Sequence, residues 1–321
     1  MMYLFCLFFA CKEEKKEILD STPIEQEPST EEQLRGQWFA DSLLEEFGFD
    51  MLEWKGDIYV SNPQFTESFV YRLTGNRREK VFSGMGRLGH QIFVWNDTLY
   101  AHAPLLQRIE DQDGNILAQG VFGKIAAGEE GFWYAISGNS VLRNGEIWQE
   151  FEHKPYDIAV CNGIVGISFP FGEKKLWING EWKIEKDEKL DRYLHCFEYE
   201  GKIQWLLGGD YRLLIWDGSS LLELPSERRS FGQEAAIREN SENGSAIEVF
   251  ISAPDSGASL NGWVGRYLWS DKTLLDVWNG ETTNQRFGYS LLVQEDGILV
   301  SAPNPTFQNG NKSYVKKINL E

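Results

Sequence analysis

The stretch "RFGYSLLVQEDGILVSAPN", residues 286–304, opens an apolar run on Phe287-Gly288, turns at Glu295-Asp296-Gly297 and stops a second run at Ala302-Pro303. The chain repeats it. "EFGFDMLEWKGDIYVSNP" places Gly48 and Pro63 fifteen residues apart, the separation of Gly288 and Pro303. "RLGHQIFVWNDTLYAHAP" repeats it with Gly89 and Pro104, and "VFGKIAAGEEGFWYAISG" keeps Phe122-Gly123. A copy with a longer middle runs from Phe231-Gly232 to Ala253-Pro254, and two degenerate copies start near Tyr156 and Leu194. Together these are seven copies, about 40 residues apart on average.

Each copy is followed by a second hairpin signal. Asp113-Gly114, Asn144-Gly145, Asn179-Gly180 and Asp217-Gly218 lie between short β-rich runs and favour type I′ turns. One unit is therefore four antiparallel strands, and seven such units predict an all-β, seven-bladed propeller. The last copy supplies only three strands before Glu321, and "LRGQWFADS", residues 34–42, resembles the fourth strands "GEIWQEF" and "GEWKIEK". Pairing this N-terminal strand with the last blade closes the ring and removes two exposed edges.

The Phe-Gly opening and the Ala-Pro ending resemble the FG-GAP repeats of integrin α-chain propellers and their bacterial relatives, over residues 34–321. The resemblance implies a calcium loop between the first two strands. Only the sixth copy is long enough, offering Glu239, Ser241 and Asn243 ahead of Gly244, with Glu248 beyond. Ser241 and Asn243 stand where the family pattern has carboxylates, so no cofactor is expected apart from, at most, one weakly held calcium ion.

The N-terminus, "MMYLFCLFFAC", resembles a bacterial lipoprotein signal of residues 1–11, in which Ala10 precedes a cysteine, Cys11, that becomes the lipidated mature N-terminus. Its apolar run is too short to span a bilayer. Residues 12–33, "KEEKKEILDSTPIEQEPSTEEQ", are too poor in apolar side chains to order themselves and read as an acidic tether. The resemblance implies a bacterial cell-envelope protein, held at the outer membrane or cell surface by lipid alone.

A net charge of −18 argues against a nucleic-acid partner. Catalytic and phosphate-binding signatures such as Gly-x-Ser-x-Gly, His-Glu-x-x-His and the P-loop are absent from the sequence. His90, His102, His153 and His195 read as satisfied or solvent-edge side chains rather than a metal site. Cys161 and Cys196 lie in first strands of adjacent copies at different positions, which reads as two free thiols. The informative surface is the face carrying the blade-to-blade loops and the loops between second and third strands. There Phe65, Phe169, Phe171, Tyr211, Trp263 and Phe307 are candidates for contact with a protein or carbohydrate.

The expected function is a non-catalytic, monomeric binding or adhesion module. A structural or assembly component of the envelope is the alternative, and an enzyme acting on polysaccharide or lipid ranks third. A deep axial pocket with convergent Asp, Glu or His would raise that last reading.

Overall fold

The computed structural model describes residues 37–41, 45–75, 77–121, 123–128, 131–171, 174–185, 191–240, 246–256, 260–281, 284–303 and 312–320. The signal and tether assignments, Cys11, Ser241, Asn243 and Phe307 lie outside these residues.

All the described regular structure is β, in seven four-stranded antiparallel sheets. Blades 1 to 6 are continuous in sequence, at 51–84, 91–119, 125–150, 157–185, 191–225 and 235–279. Blade 7 takes three strands from 291–319 and its fourth, Gln37–Phe39, from the other end of the chain. Gln37, Trp38 and Phe39 pair with Lys316, Val315 and Tyr314, the closure anticipated from "LRGQWFADS". Arg78 of blade 1 donates to the Phe39 carbonyl at 2.6 Å, tying the closing strand to its other neighbour. The Asn-Gly signals form the expected outer hairpins, with φ of 50° and 88° at Asn144-Gly145 and of 44° and 97° at Asn179-Gly180.

The core consists of seven wedges, each filled from two adjacent blades. Phe47, Tyr71, Leu299 and Val315 fill the wedge between blades 7 and 1, and Phe250, Val264, Phe287 and Val300 the one between blades 6 and 7. The repeat motif accounts for this packing. Its Phe (Phe47, Phe231, Phe287) is buried between blades. Its Gly takes a positive φ, +88° at Gly48 and +89° at Gly288, and leans on the preceding blade. A Cβ at Gly48 would lie 2.8 Å from Ser301 Cβ, and one at Gly288 would lie 3.1 Å from Ser252 Cβ. Both partners are the small residue of the Ser-Ala-Pro ending, so the two halves of the motif meet across the blade boundary.

The same serines hold their own blades. The Ser301 carbonyl accepts from Gly288 N at 2.9 Å, and its hydroxyl accepts from Ser290 N at 2.9 Å. Ser252 does the same for Gly232 N at 2.8 Å and Glu234 N at 3.0 Å.

One sequence expectation is corrected. Cys161 and Cys196 form a disulfide between the first strands of blades 4 and 5, with Cα atoms 6.1 Å apart. The two strands belong to separate sheets with no shared hydrogen-bond ladder, so repeat position does not dictate which of their residues meet.

Because one blade is shared between the chain ends, a 43–321 fragment should leave the edge of Tyr314–Asn319 unpaired. Its urea unfolding, followed by tryptophan fluorescence, is expected to broaden and lose cooperativity, with aggregation at low denaturant. Melting like that of the longer protein would contradict the closure.

Candidate functional site on the propeller axis

First strands of neighbouring blades lie side by side around the axis. Their N-terminal ends all open on the face that carries the blade-to-blade loops. On the axis they enclose a cavity of about 650 Å³, lined by residues of every blade. Its mouth is wet, since Tyr156 is 38% exposed there.

Two contributions shape this funnel. The first is aromatic. Phe49 packs against Tyr289 at 4.7 Å and against His90 at 4.9 Å, an arc across blades 7, 1 and 2. Tyr156 and Tyr193, with centroids 5.9 Å apart, line the side formed by blades 4 and 5. The arc extends outward, because the Arg87 guanidinium lies 5.3 Å from the Phe49 ring and 5.2 Å from that of Phe65.

The second is a polar column just ahead of the apolar run of each first strand: Asp50, Gln91, Lys124, Asp157, Tyr193, Glu234 and Ser290. Three members clasp neighbouring blades together. Asp50 accepts Met51 N at 2.9 Å and Ile92 N, in blade 2, at 2.8 Å. Gln91 accepts Ile125 N at 2.8 Å and donates to Ile125 O at 2.7 Å, in blade 3. Asp157 accepts Ile158 N at 2.8 Å and Leu194 N, in blade 5, at 3.1 Å.

Lys124 and Glu234 stand in the same column without that task. Among the described residues, no hydrogen bond or ion pair closes on the Lys124 ammonium or the Glu234 carboxylate. They couple through space instead. Burial opposes the charge of Lys124, but Asp157, Glu234 and Asp50 outweigh it and raise its pKa. Burial pushes the Glu234 carboxyl up to about 7, with Lys124 opposing the shift. Burial likewise carries Asp50 to about 7, against its bond from Ile92 N.

Burial favours the neutral form of His90, His102 and His195. Burial, reinforced by His102 and Arg87, lowers His90 to about 3, and burial lowers His102 to about 4. Burial also lowers His195, whose Nε2 lies 3.0 Å from the Gln233 carbonyl. Among the described residues, no group of three or more His, Cys, Asp and Glu side chains is arranged to hold a metal ion.

The aromatic candidates divide. Phe65, Phe171 and Tyr211 are exposed on the loop face, at 64%, 68% and 45%. Tyr211 is steadied by Arg229, which donates to its hydroxyl at 3.1 Å. Phe169 and Trp263 are corrected from loop to core, at 1% and 2% exposure. Phe169 prolongs its strand by donating to the Lys175 carbonyl at 2.8 Å, and its ring packs on Phe151 and Trp182, each at 4.9 Å. Trp263 is the first residue of a third strand, Trp263–Leu268, and packs on Phe231.

The calcium candidates do not converge either. Glu248 pairs with Arg238 across the first hairpin of blade 6, whereas Glu239 pairs with Ile247. Paired residues share a face and successive residues alternate, so the two glutamates point to opposite sides of the blade. Glu248 is buried against Arg266 at 2.5 Å and Arg238 at 3.7 Å.

Alignment of the copies could have revealed the polar column, since its members fall two residues after the glycine in copies 1, 2, 6 and 7. In copy 3 the interval is one residue shorter, which places Lys124 directly after Gly123.

No family model matches the chain, and no curated protein matches it. Solved structures do. A BBS1N structure, determined in complex with ARL6DN, superimposes with a TM-score of 0.56 at 13% identity, covering 83% of this chain and 90% of that one. The extracellular domain of BT4673 from B. thetaiotaomicron gives a TM-score of 0.59 at 10% identity over 88% of this chain. The match spans 40% of that longer chain. At such identities the likeness is one of fold.

Two outcomes follow from the site. Glu234 has a folded pKa above its ordinary value, so its contribution is fully present below about pH 4.5 and is lost as pH rises through about 7. Glu234→Gln should therefore gain about 1–3 kcal/mol over the parent at pH 8 and little at pH 4.5, read from urea unfolding at both pH values. An equal effect at both would contradict the assignment. With no shared face for Glu239 and Glu248, EDTA should shift Tm by no more than about a degree. A drop of about ten degrees would contradict this reading.

Proposed function

We propose that this propeller is a non-catalytic binding module of the bacterial cell envelope, recognising a protein or glycan through the face on which its axial funnel opens. The observation that carries the reading is Lys124 and Glu234, a charged pair turned into the funnel where their counterparts in three other blades are spent on clasping strands. Exposed Phe65, Phe171 and Tyr211 on the same face enlarge the contact surface. The BBS1N propeller held in complex with ARL6DN is a precedent for recognition by this fold. In this chain the Phe-Gly glycines and small-residue endings, packed together across blade boundaries, support the FG-GAP resemblance.

The funnel also gives the enzyme reading its strongest observation, three convergent carboxylates. Asp50 and Asp157, however, each use both oxygens to accept backbone N–H groups from two blades. That leaves one carboxylate, Glu234, where a glycosidase of the usual kind needs a free pair. Binding is the reading that uses the site as built.

The Cys161–Cys196 bridge supports export, because disulfides persist in oxidising compartments. Lipidation of Cys11 would then hold the protein at the membrane, and the net charge of −18 argues against a nucleic-acid partner.

Labelled full-length protein, probed on a glycan array and on blotted envelope proteins, tests the reading. The triple variant Phe65→Ser, Phe171→Ser, Tyr211→Ser should lose at least about tenfold in signal while melting like the parent, since all three side chains are exposed. Undiminished signal would overturn the loop-face assignment.

A further inference from the structure

The funnel narrows the choice of ligand, an inference that rests on the binding reading above. Its polar groups come from opposite sides of the ring, Lys124 from blade 3 and Glu234 from blade 6. One is a donor, the other chiefly an acceptor, and neither is satisfied among the described residues. An anion entering here meets the acidic groups Glu234, Asp50 and Asp157, and a cation meets Lys124 and Arg286. A ligand with full charge of either sign is therefore opposed by part of the wall. A neutral ligand bearing several hydroxyls is not, because each hydroxyl both donates and accepts. The Phe49–Tyr289 pair adds an apolar wall beside these groups, of the kind that covers the C–H face of a ring.

The shape points the same way. A cavity of about 650 Å³ lined by all seven blades receives the end of a chain rather than a folded surface. Tyr156 at the mouth, with Arg192 lying 5.9 Å from its ring, lines the path out to the loop face.

We propose that the axial funnel binds the terminal sugar of a neutral glycan, with Glu234 accepting from and Lys124 donating to its ring hydroxyls and with Phe49 and Tyr289 against its apolar face. The exposed aromatics of the loop face would then contact the following residues of the same chain. The groups are not used to break a bond, and the sugar leaves unchanged.

The test uses full-length protein on an array of neutral, sialylated, sulfated and amino-sugar glycans, followed by calorimetric titration with the best neutral oligosaccharide. Expected is binding confined to neutral glycans sharing one terminal sugar, reduced at least about tenfold by Glu234→Gln and by Lys124→Met. Lys124→Arg, which keeps the donor, should retain more affinity than Lys124→Met. Phe49→Leu, which keeps bulk but loses the aromatic face, should weaken binding about three- to tenfold with the fold intact by circular dichroism. A preference for acidic or amino-sugar glycans would overturn the inference. So would capture of an envelope protein that is lost in the Phe65, Phe171 and Tyr211 variant but kept in Glu234→Gln, a result that leaves loop-face binding standing. Affinity unaffected by either set of substitutions would overturn both.

Discussion

The structure depends on one close approach, the seating of a backbone glycine against a small side chain of the preceding blade. At Gly48 the space for a Cβ is already held by Ser301, and at Gly288 by Val264 and Ser252. A propeller is a ring of wedges, and a wedge is narrowest near its axis. There the backbones must come within contact distance, and only a residue without a Cβ, free to take a positive φ, allows it. The contact also places the following residues. In blades 1, 2, 6 and 7 the first strand leaves its glycine at a set angle, so the side chains that follow are delivered to a common depth on the axis.

This is how a packing constraint produces a candidate functional site. A sevenfold repeated backbone presents one polar column to a shared cavity, and the column has a default use: a side chain that reaches the next blade's backbone adds a clasp where no ladder exists. Asp50, Gln91 and Asp157 take that use. Blades 3 and 6 depart from it, and their Lys124 and Glu234 remain in the cavity at a cost in desolvation that shows in the raised pKa of Glu234. On the binding reading proposed above, the charge left unpaired at these two positions serves a ligand rather than the fold.

Much of the architecture was legible in the chain because it is written in backbone chemistry. Glycine at a positive φ, proline after a strand and Asn-Gly in a tight turn each answer a local demand, so Gly48, Pro63 and Asn144-Gly145 identify their places without tertiary information. The shared blade was legible for a similar reason, since a missing fourth strand leaves an edge that some other segment must cover. Side-chain direction was not. Phe169 and Phe171 are two residues apart at one strand end, yet the first is core and the second is exposed, and which one turns inward depends on the width of the wedge. Likewise Cys161 and Cys196 meet through the packing of two sheets, for which sequence position carries no register. The funnel was missed because each of its residues, taken singly, is an ordinary polar residue at a strand start. Only their superposition on a common axis makes them a site.

The account stands on the glycine seat, and a double-mutant cycle isolates it. Gly48→Ala adds a Cβ that would lie 2.8 Å from Ser301 Cβ, in a backbone conformation of φ +88°. Backbone strain from the substitution is the same whether residue 301 is Ser or Gly, so it cancels in the cycle. The loss of the Ser301 hydroxyl's bond from Ser290 N cancels as well. What remains is the contact between the two blades. If that contact governs the ring, Gly48→Ala should cost at least about 1 kcal/mol less in the Ser301→Gly background than in the parent, as measured by urea unfolding. Strict additivity of the two substitutions would mean that the blades are not held at this point, and the account would have to be abandoned.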